Sequence, residues 1–447
     1  MTRPTRPSNV SCRTTSALSL PTMSVVAKPK THNPQTTSYE FLGPPGALAV
    51  TLGVPFMTYG LFFACNERAG ACPPDPSYLY TSLVQAVSDP AWWISLFDVK
   101  AFIMYNAWYA YCVVAWAVLP GAWVRGTELR TGGYQQYKIN AFSTGLLALG
   151  LATGWILRYG YQSFTFFYEH WVGFTTAALI MSVVQGLLWY SLSFAGDRLL
   201  ALGGNSGNFI YDFYIGRELN PTVGSLDIKS FNELRPGLIL WLLIDISMAC
   251  EQATRLGGRI TDSMVLVLLF QGIYVLDALY NEPAILTTMD ITSDGFGFML
   301  AVGDLLWVPF VYSLQARYLV FNPKELGLLA SLAIVAVNFA GYYVFRVSNG
   351  EKNDFRNGKN PKNLRYMEME RGKKLIISGW GDLMMALAWS LPTGFDTYIT
   401  YFYVSYFAVL LIHRQRRDEE ACESKYGKKD WHKYMGLVPY RIIPYVY

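Results

Sequence analysis

Gly327-Leu-Leu-Ala-Ser-Leu-Ala-Ile-Val-Ala-Val-Asn-Phe-Ala-Gly-Tyr-Tyr-Val-Phe345 runs without a charged side chain and stops at Arg346. As a helix it is about 28 Å long, the thickness of a bilayer's hydrocarbon core. The segment that follows, 346–374, carries Arg346, Lys352, Arg356, Lys359, Lys362, Arg365, Arg371, Lys373 and Lys374. An uncharged helix of membrane length running into a cationic segment is a membrane span with its cytosolic end marked. Seven further apolar stretches fall near 46–65, 101–124, 139–158, 170–194, 237–255, 263–280 and 296–314. A last one, 383–412, is too short for two comfortable spans and is broken at Pro392-Thr393-Gly394, so it reads as an interrupted hairpin. The expected fold is an all-α polytopic membrane protein of about ten transmembrane helices, the last pair shortened or broken.

Composition agrees, since 52% hydrophobic residues against 15% charged ones exceeds what a soluble domain carries. A net charge of +4, concentrated in a few loops and the C-terminal tail, argues against a nucleic-acid binder. The cysteines, at 12, 65, 72, 112, 250 and 422, form no CxxC pair and no Cys/His metal spacing, so no metal site is expected. Cys65 and Cys72 flank a short polar loop and can pair if that loop faces an oxidising lumen. Residues 1–39 are rich in Ser, Thr and Pro, basic, and free of acidic residues and of an apolar signal core. They read as a disordered cytosolic tail, a composition that an organellar transit peptide shares.

Parity orients the spans. Eight crossings between the basic N-terminus and segment 346–374 place both in the cytosol, and the basic tail after 412 requires the last stretch to cross twice. Residues 65–72 then lie in the lumen. Loops 125–138 and 195–236 become cytosolic and carry cations, whereas the cytosolic loop 281–295 is acidic and goes against the trend.

Asp245, Glu251, Asp277, Glu282 and Asp304 lie in or beside spans, where ionisable groups are expensive unless paired or hydrated, so the bundle should hold a polar cavity. A transporter built on these acids predicts internal repeats, and none is visible. Three runs narrow the choice. One is Gly207-Asn-Phe-Ile-Tyr-Asp-Phe-Tyr-Ile-Gly-Arg-Glu-Leu-Asn-Pro221. The next extends from Tyr274 through Asp277-Ala-Leu-Tyr-Asn-Glu282 to Thr287-Thr-Met-Asp-Ile-Thr-Ser-Asp-Gly-Phe-Gly-Phe-Met-Leu300. The third runs from His413-Arg414 through Arg417-Asp418, Cys422, Lys425-Tyr426-Gly427, Trp431 and Tyr434 to Val438-Pro-Tyr-Arg-Ile-Ile-Pro-Tyr-Val-Tyr447. Together they resemble the sterol reductase family, which includes Δ14-, Δ7- and C24(28)-reductases and the lamin B receptor. The resemblance covers about residues 38–447 and is strongest to the fungal Δ14 enzymes.

That resemblance implies a Δ14-sterol reductase of the endoplasmic reticulum membrane, acting in ergosterol biosynthesis on a sterol like 4,4-dimethyl-cholesta-8,14,24-trienol, with NADPH as cofactor and pathway enzymes as partners. Reductases of Δ7 or C24(28) specificity and a weakened sterol-binding paralogue are the alternatives. It divides the chain into the tail 1–39, a transmembrane core 40–345 with the sterol cavity, and a cofactor-binding half 346–447. Lys352 and Arg356 are implied to hold the adenosine 2′-phosphate, with Leu375, Trp380, Arg414, Asp418, Cys422 and Tyr434 lining the remainder. Phosphates call for cationic forks and an adenine for an aromatic surface, both of which this half supplies. No Gly-rich fingerprint of a dinucleotide-binding βαβ unit is present.

The chemistry is reduction of an electron-rich ring alkene with no carbonyl to polarise it, which a hydride attacks only after protonation. For a Δ14 sterol the proton goes to C15 and hydride to C14. Tyr274 and Asp418 match family positions at the reductive centre and are the candidate relay, with Glu282, Asp290 and Asp294 in reserve. Taken alone, Lys352 and Arg356 are positive-inside charge, Asp418 is a solvated neighbour of Arg417, and Tyr274 is one of 31 tyrosines. Asp212 reads better as a residue that fixes a loop than as a catalyst. The chain departs from the family after Ser378-Gly379-Trp380, where roughly ten residues, about three helical turns, are missing before Gly381-Asp382. A splice junction and a genuine deletion both account for the gap. Turnover is impaired only in the second case.

Overall fold

The structure is a computed structural model that describes residues 32–66, 72–356, 379–429, 431–432 and 442; the side chains of 351–356, 421, 422 and 424–426 are excepted. It is a bundle of helices: α1 (Gly43–Phe63), α2 (Val99–Val118), α3 (Ala141–Tyr159), α4 (Trp171–Leu192), the short α5 (Phe209–Ile215), α6 (Leu240–Arg255), α7 (Asp262–Tyr280), α8 (Phe298–Phe321), α9 (Gly327–Arg356), α10 (379–390) and α11 (Phe402–Tyr426). Among the described residues seven helices are long and apolar enough to cross a membrane: α1, Pro90–Val118 containing α2, α3, α4, α7, α8 and the first 24 residues of α9. The protein is therefore a multi-pass membrane protein. All eight stretches expected from hydropathy fall on helix. The 237–255 stretch is α6, which is shorter and carries Asp245, Glu251 and Arg255.

Helix packing follows the rule for lipid, where close contact by small residues replaces the hydrophobic effect. In α4 the buried side carries Gly173, Ala177, Ala178, Ser182 and Gly186, while Val184, Leu187 and Leu188 are exposed to the apolar surround. A β-carbon on Gly173 would lie 2.6 Å from the Asp98 side chain, and one on Gly186 2.9 Å from the Phe213 ring. Helices α9 and α10 cross on a glycine pair, since a β-carbon on Gly341 would lie 2.9 Å from the Gly381 carbonyl oxygen.

Two turns depart from α-helix. Glu233–Ile239, leading into α6, and Gly303–Trp307, inside α8, are π-helical and pack on each other. Gly237 permits the contact: a β-carbon there would lie 2.3 Å from the Asp304 carbonyl oxygen. Pro236, which donates no backbone hydrogen bond, sits in the first turn, and its carbonyl accepts the Trp108 indole N–H at 3.2 Å.

The all-α expectation needs one correction. Loop 125–138 belongs to an antiparallel hairpin, β1 (Ala122–Glu128) with β2 (Tyr134–Ile139), and Thr222–Val223 pairs with Leu226–Asp227 in a shorter one. Gly132 and Gly133, both at positive φ, turn the first hairpin, and Tyr134-Gln-Gln-Tyr-Lys-Ile139 alternates as a half-buried strand does. Cys65 and Cys72 are disulfide-bonded, which settles the pairing that the sequence left open. Arg317 Nε donates to the Cys65 carbonyl at 2.8 Å, and its guanidinium is boxed by Phe62, Tyr168, Trp171 and Phe321.

Candidate active site

Tyr274 lies midway along α7, its ring 5.1 Å from Trp389, 6.1 Å from Trp241 and 6.2 Å from Phe345. Tyr403 stacks on Trp389 at 5.6 Å and meets Tyr312 edge-on at 4.7 Å. These rings make an apolar wall deep in the bundle. The charged groups around Tyr274 are Asp382, Glu233, Arg414 and Asp277. Tyr274, Tyr312, Glu233, Asp304 and Asp382 keep part of their surface open although they lie within the helix bundle, so they face an internal cleft.

One end of the cleft is built on the turn 289–294. Three backbone carbonyls of that turn, Asp290, Ile291 and Asp294, accept from Lys229 Nζ at 2.7, 3.0 and 2.7 Å. Burial pulls the Lys229 ammonium down to about 8, against the opposing pull of Asp227 and Asp294. From above, Arg414 pairs with Asp290 at 2.5 Å and Arg417 grips Asp294 at 2.6 and 3.1 Å. The glycines that follow the turn, Gly295 and Gly297, fix it to the first motif. Gly216, at φ 95°, has no room for a β-carbon, which would lie 2.3 Å from the Gly295 carbonyl carbon. Asp212 fixes the loop before α5, accepting from Ser206 N, Ser206 Oγ and Gly207 N at 2.9, 2.7 and 2.9 Å.

Of the five acids expected to line a cavity, three are answered by arginine. Glu282 pairs with Arg235 at 2.8 Å, both nearly inaccessible at 3% and 1%, and its other oxygen accepts the Ala141 N–H that opens α3. Asp277 pairs with Arg346 at 3.4 Å and accepts from Tyr342 at 2.9 Å, and Glu251 pairs with Arg255 at 2.8 Å. Asp245 is fully buried with neither oxygen hydrogen-bonded among the described residues. Asp304 sits on the second π turn, where its charged neighbours are Glu233, on the first, and Asp290. Glu233 was not singled out in the sequence because it falls in a loop read as cytosolic. The only signal was Pro236-Gly237 at the mouth of an apolar run, which marks a helix irregularity without naming its acid.

The implied cofactor residues divide by position. Arg414 lies at the cleft mouth, with 42% of its side chain accessible, and Asp418 is one turn further on, exposed and among the charges that Arg414 feels. Trp380 is half-buried two residues before Asp382. Arg414 and Asp382 are among the charges that act on Tyr274, so α10 and α11 converge near it. The side chains of Lys352, Arg356 and Cys422, and the whole of Leu375 and Tyr434, lie outside the described residues. The accessible Arg414 guanidinium, near a ring-lined cleft, is a cationic donor that fits the phosphates of a nicotinamide cofactor.

The fold and site define a multi-pass membrane protein with an aromatic, acid-lined cleft that opens beside a cationic mouth. The chain belongs to the ergosterol biosynthesis ERG4/ERG24 family, whose profile matches residues 35–447. It is 48% identical over 423 residues to the Delta(14)-sterol reductase erg24 of Schizosaccharomyces pombe, an alignment covering 92% of this chain and 97% of that one. It is 42% identical over 445 residues to the Delta(14)-sterol reductase ERG24 of Candida albicans, covering 93% and 99%. The same enzyme of Saccharomyces cerevisiae is 42% identical over 446 residues, again covering 93% and 99%.

Proposed function

We propose that this chain is an NADPH-dependent Δ14-sterol reductase of the endoplasmic reticulum membrane, crossing the bilayer ten times with α10 and α11 as the final pair. The observation that carries the reading is the end-to-end likeness to Δ14 reductases, 48% over 92% of the chain in one case. The ring-lined cleft at Tyr274 supplies what the chemistry needs.

When bound, a reduced nicotinamide supplies the hydride. Arg414 draws the dinucleotide phosphates to the cleft mouth, Trp380 offers its ring face, and Lys352 and Arg356 hold the 2′-phosphate. Trp241, Trp389, Phe345 and Tyr403 hold the sterol rings and keep water from the cation that protonation creates at C14. Tyr274 places its hydroxyl proton at C15, and Glu233 and Asp304 return a proton to it from the mouth, where Asp290 meets Arg414. Asp418 orders Arg414 from the next helical turn.

Membranes containing the protein, given NADPH and a Δ8,14-dienol, should yield the Δ8 sterol. A dienol left intact beside a reduced Δ7 or Δ24(28) sterol overturns the Δ14 assignment. Lys352→Ala should raise the KM for NADPH well above any change in the KM for NADH, and equal effects would refute the phosphate role. The direct junction of Trp380 to Gly381 favours a second reading, a sterol-binding protein without turnover. It requires sterol binding with no measurable dinucleotide binding.

A further inference from the structure

Residues 33–42 form a strap over one face of the bundle. Asn33 Nδ2 donates to the Arg198 carbonyl at 2.8 Å while its Oδ1 accepts from Leu200 N at 2.9 Å. Thr36 bonds Leu202 and Asn205 on the same loop, its Oγ1 donating to the Leu202 carbonyl at 2.7 Å and accepting from Asn205 N at 2.9 Å. Glu40 N donates to the Tyr211 hydroxyl at 2.9 Å, and Tyr39 meets the Tyr211 ring edge-on at 4.9 Å. The strap then touches α11 twice: Phe41 stacks on His413 at 4.8 Å, and Glu40 forms an ion pair with Arg417 Nε at 2.9 Å. That last contact is a charge pairing without hydrogen-bond alignment.

Arg417 thus ties three elements, the strap through Glu40, the turn 289–294 through Asp294, and α11 itself. Its charge is fully engaged: two carboxylates face one guanidinium, and only 17% of the side chain is accessible, against 42% for Arg414. An arginine so committed already has its charge answered by carboxylates on two other elements. It also fixes the rotation of α11, because residues three and four apart share a helix face. Pinning Arg417 therefore sets where Arg414 and Asp418 point.

We infer that Arg417 is a positioning residue for the cofactor site, and that the strap 33–42, acting through Glu40, is the element that holds it. The inference rests on the cofactor reading of Arg414 and Asp418 given above. Arg417→Met and Glu40→Gln, in the full-length protein in nanodiscs, should weaken equilibrium binding of NADPH and NADH by the same factor, about tenfold as preorganisation is lost. The KM for sterol should not change, and Arg417→Lys should recover part of the loss. Amide exchange over 413–420, measured without dinucleotide, should accelerate in both Arg417→Met and Glu40→Gln. A loss for NADPH much larger than for NADH would make Arg417 a phosphate ligand and overturn the inference. Wild-type binding with unchanged variants overturns it alone, and a wild-type protein that binds neither dinucleotide overturns the cofactor reading together with it.

Discussion

Tyr274 is held by three aromatic rings and faces carboxyls from two directions, Asp382 on α10 and Glu233 on the first π turn. If its hydroxyl delivers the proton, Tyr274→Phe keeps the wall intact and removes only the acid. Turnover should then fall by about 10²–10⁴-fold, the usual yield of a positioned acid. Dinucleotide affinity should be unchanged. Single-turnover kinetics beside a binding titration separates the two, and a Phe variant of near-normal rate would move the donor to Glu233 or Asp304. Asp304 was legible as an ionisable residue inside an apolar run. Glu233 was not, because nothing in the residues around it says that the helix of α6 begins early and passes through a π turn. The same limit applies to Arg417, whose value lies in partners more than a hundred positions away, Asp294 and Glu40.

At the scale of elements, the Arg235–Glu282 pair joins the first π turn to the start of α3. Arg235 also donates to Asn140 Oδ1 at 2.7 Å, and Asn140 Nδ2 donates to the Trp116 and Leu119 carbonyls at 3.0 and 3.1 Å. Arg235→Met leaves a buried carboxylate unpaired and should cost about 3–5 kcal/mol. Arg259→Met, which breaks the exposed pair of Arg259 with Glu325, should cost at most about 1 kcal/mol. Thermal unfolding of both variants in the same detergent tests the contrast. Span positions were readable in advance because membrane-length apolar runs have few other interpretations. The hairpin β1–β2 was not, since its segment was judged by charge, and the short alternation in Tyr134–Ile139 is weaker than the cations around it.

Across the whole molecule, the junction of Trp380 and Gly381 lies in the first turn of α10, where Gly381 is packed against Gly341 with no space for a side chain. A variant given a family-length segment of about ten residues between Trp380 and Gly381 should bind NADPH more tightly than the chain as it stands. Fluorescence titration reads the change, and an unchanged affinity would show that the short junction already serves. The reductase family was recognisable from three motifs, and the structure gives their logic: Gly216 of the first lies against Gly295 of the second, while Arg414 and Arg417 of the third close on Asp290 and Asp294 of the second. Motifs distant in the chain meet at one place, which is why each looked meaningful alone and none disclosed its partner.

The contact of Glu40 with Arg417 joins the two extremes of the chain. A ribosome adding roughly 5–20 residues per second exposes Glu40 long before Arg417 exists, so the strap waits on the order of a minute for its anchor. Closure of the face that the strap covers is therefore a late event in biogenesis, and a polypeptide truncated before α11 would present an undocked N-terminal segment to quality-control machinery while its membrane helices were already inserted.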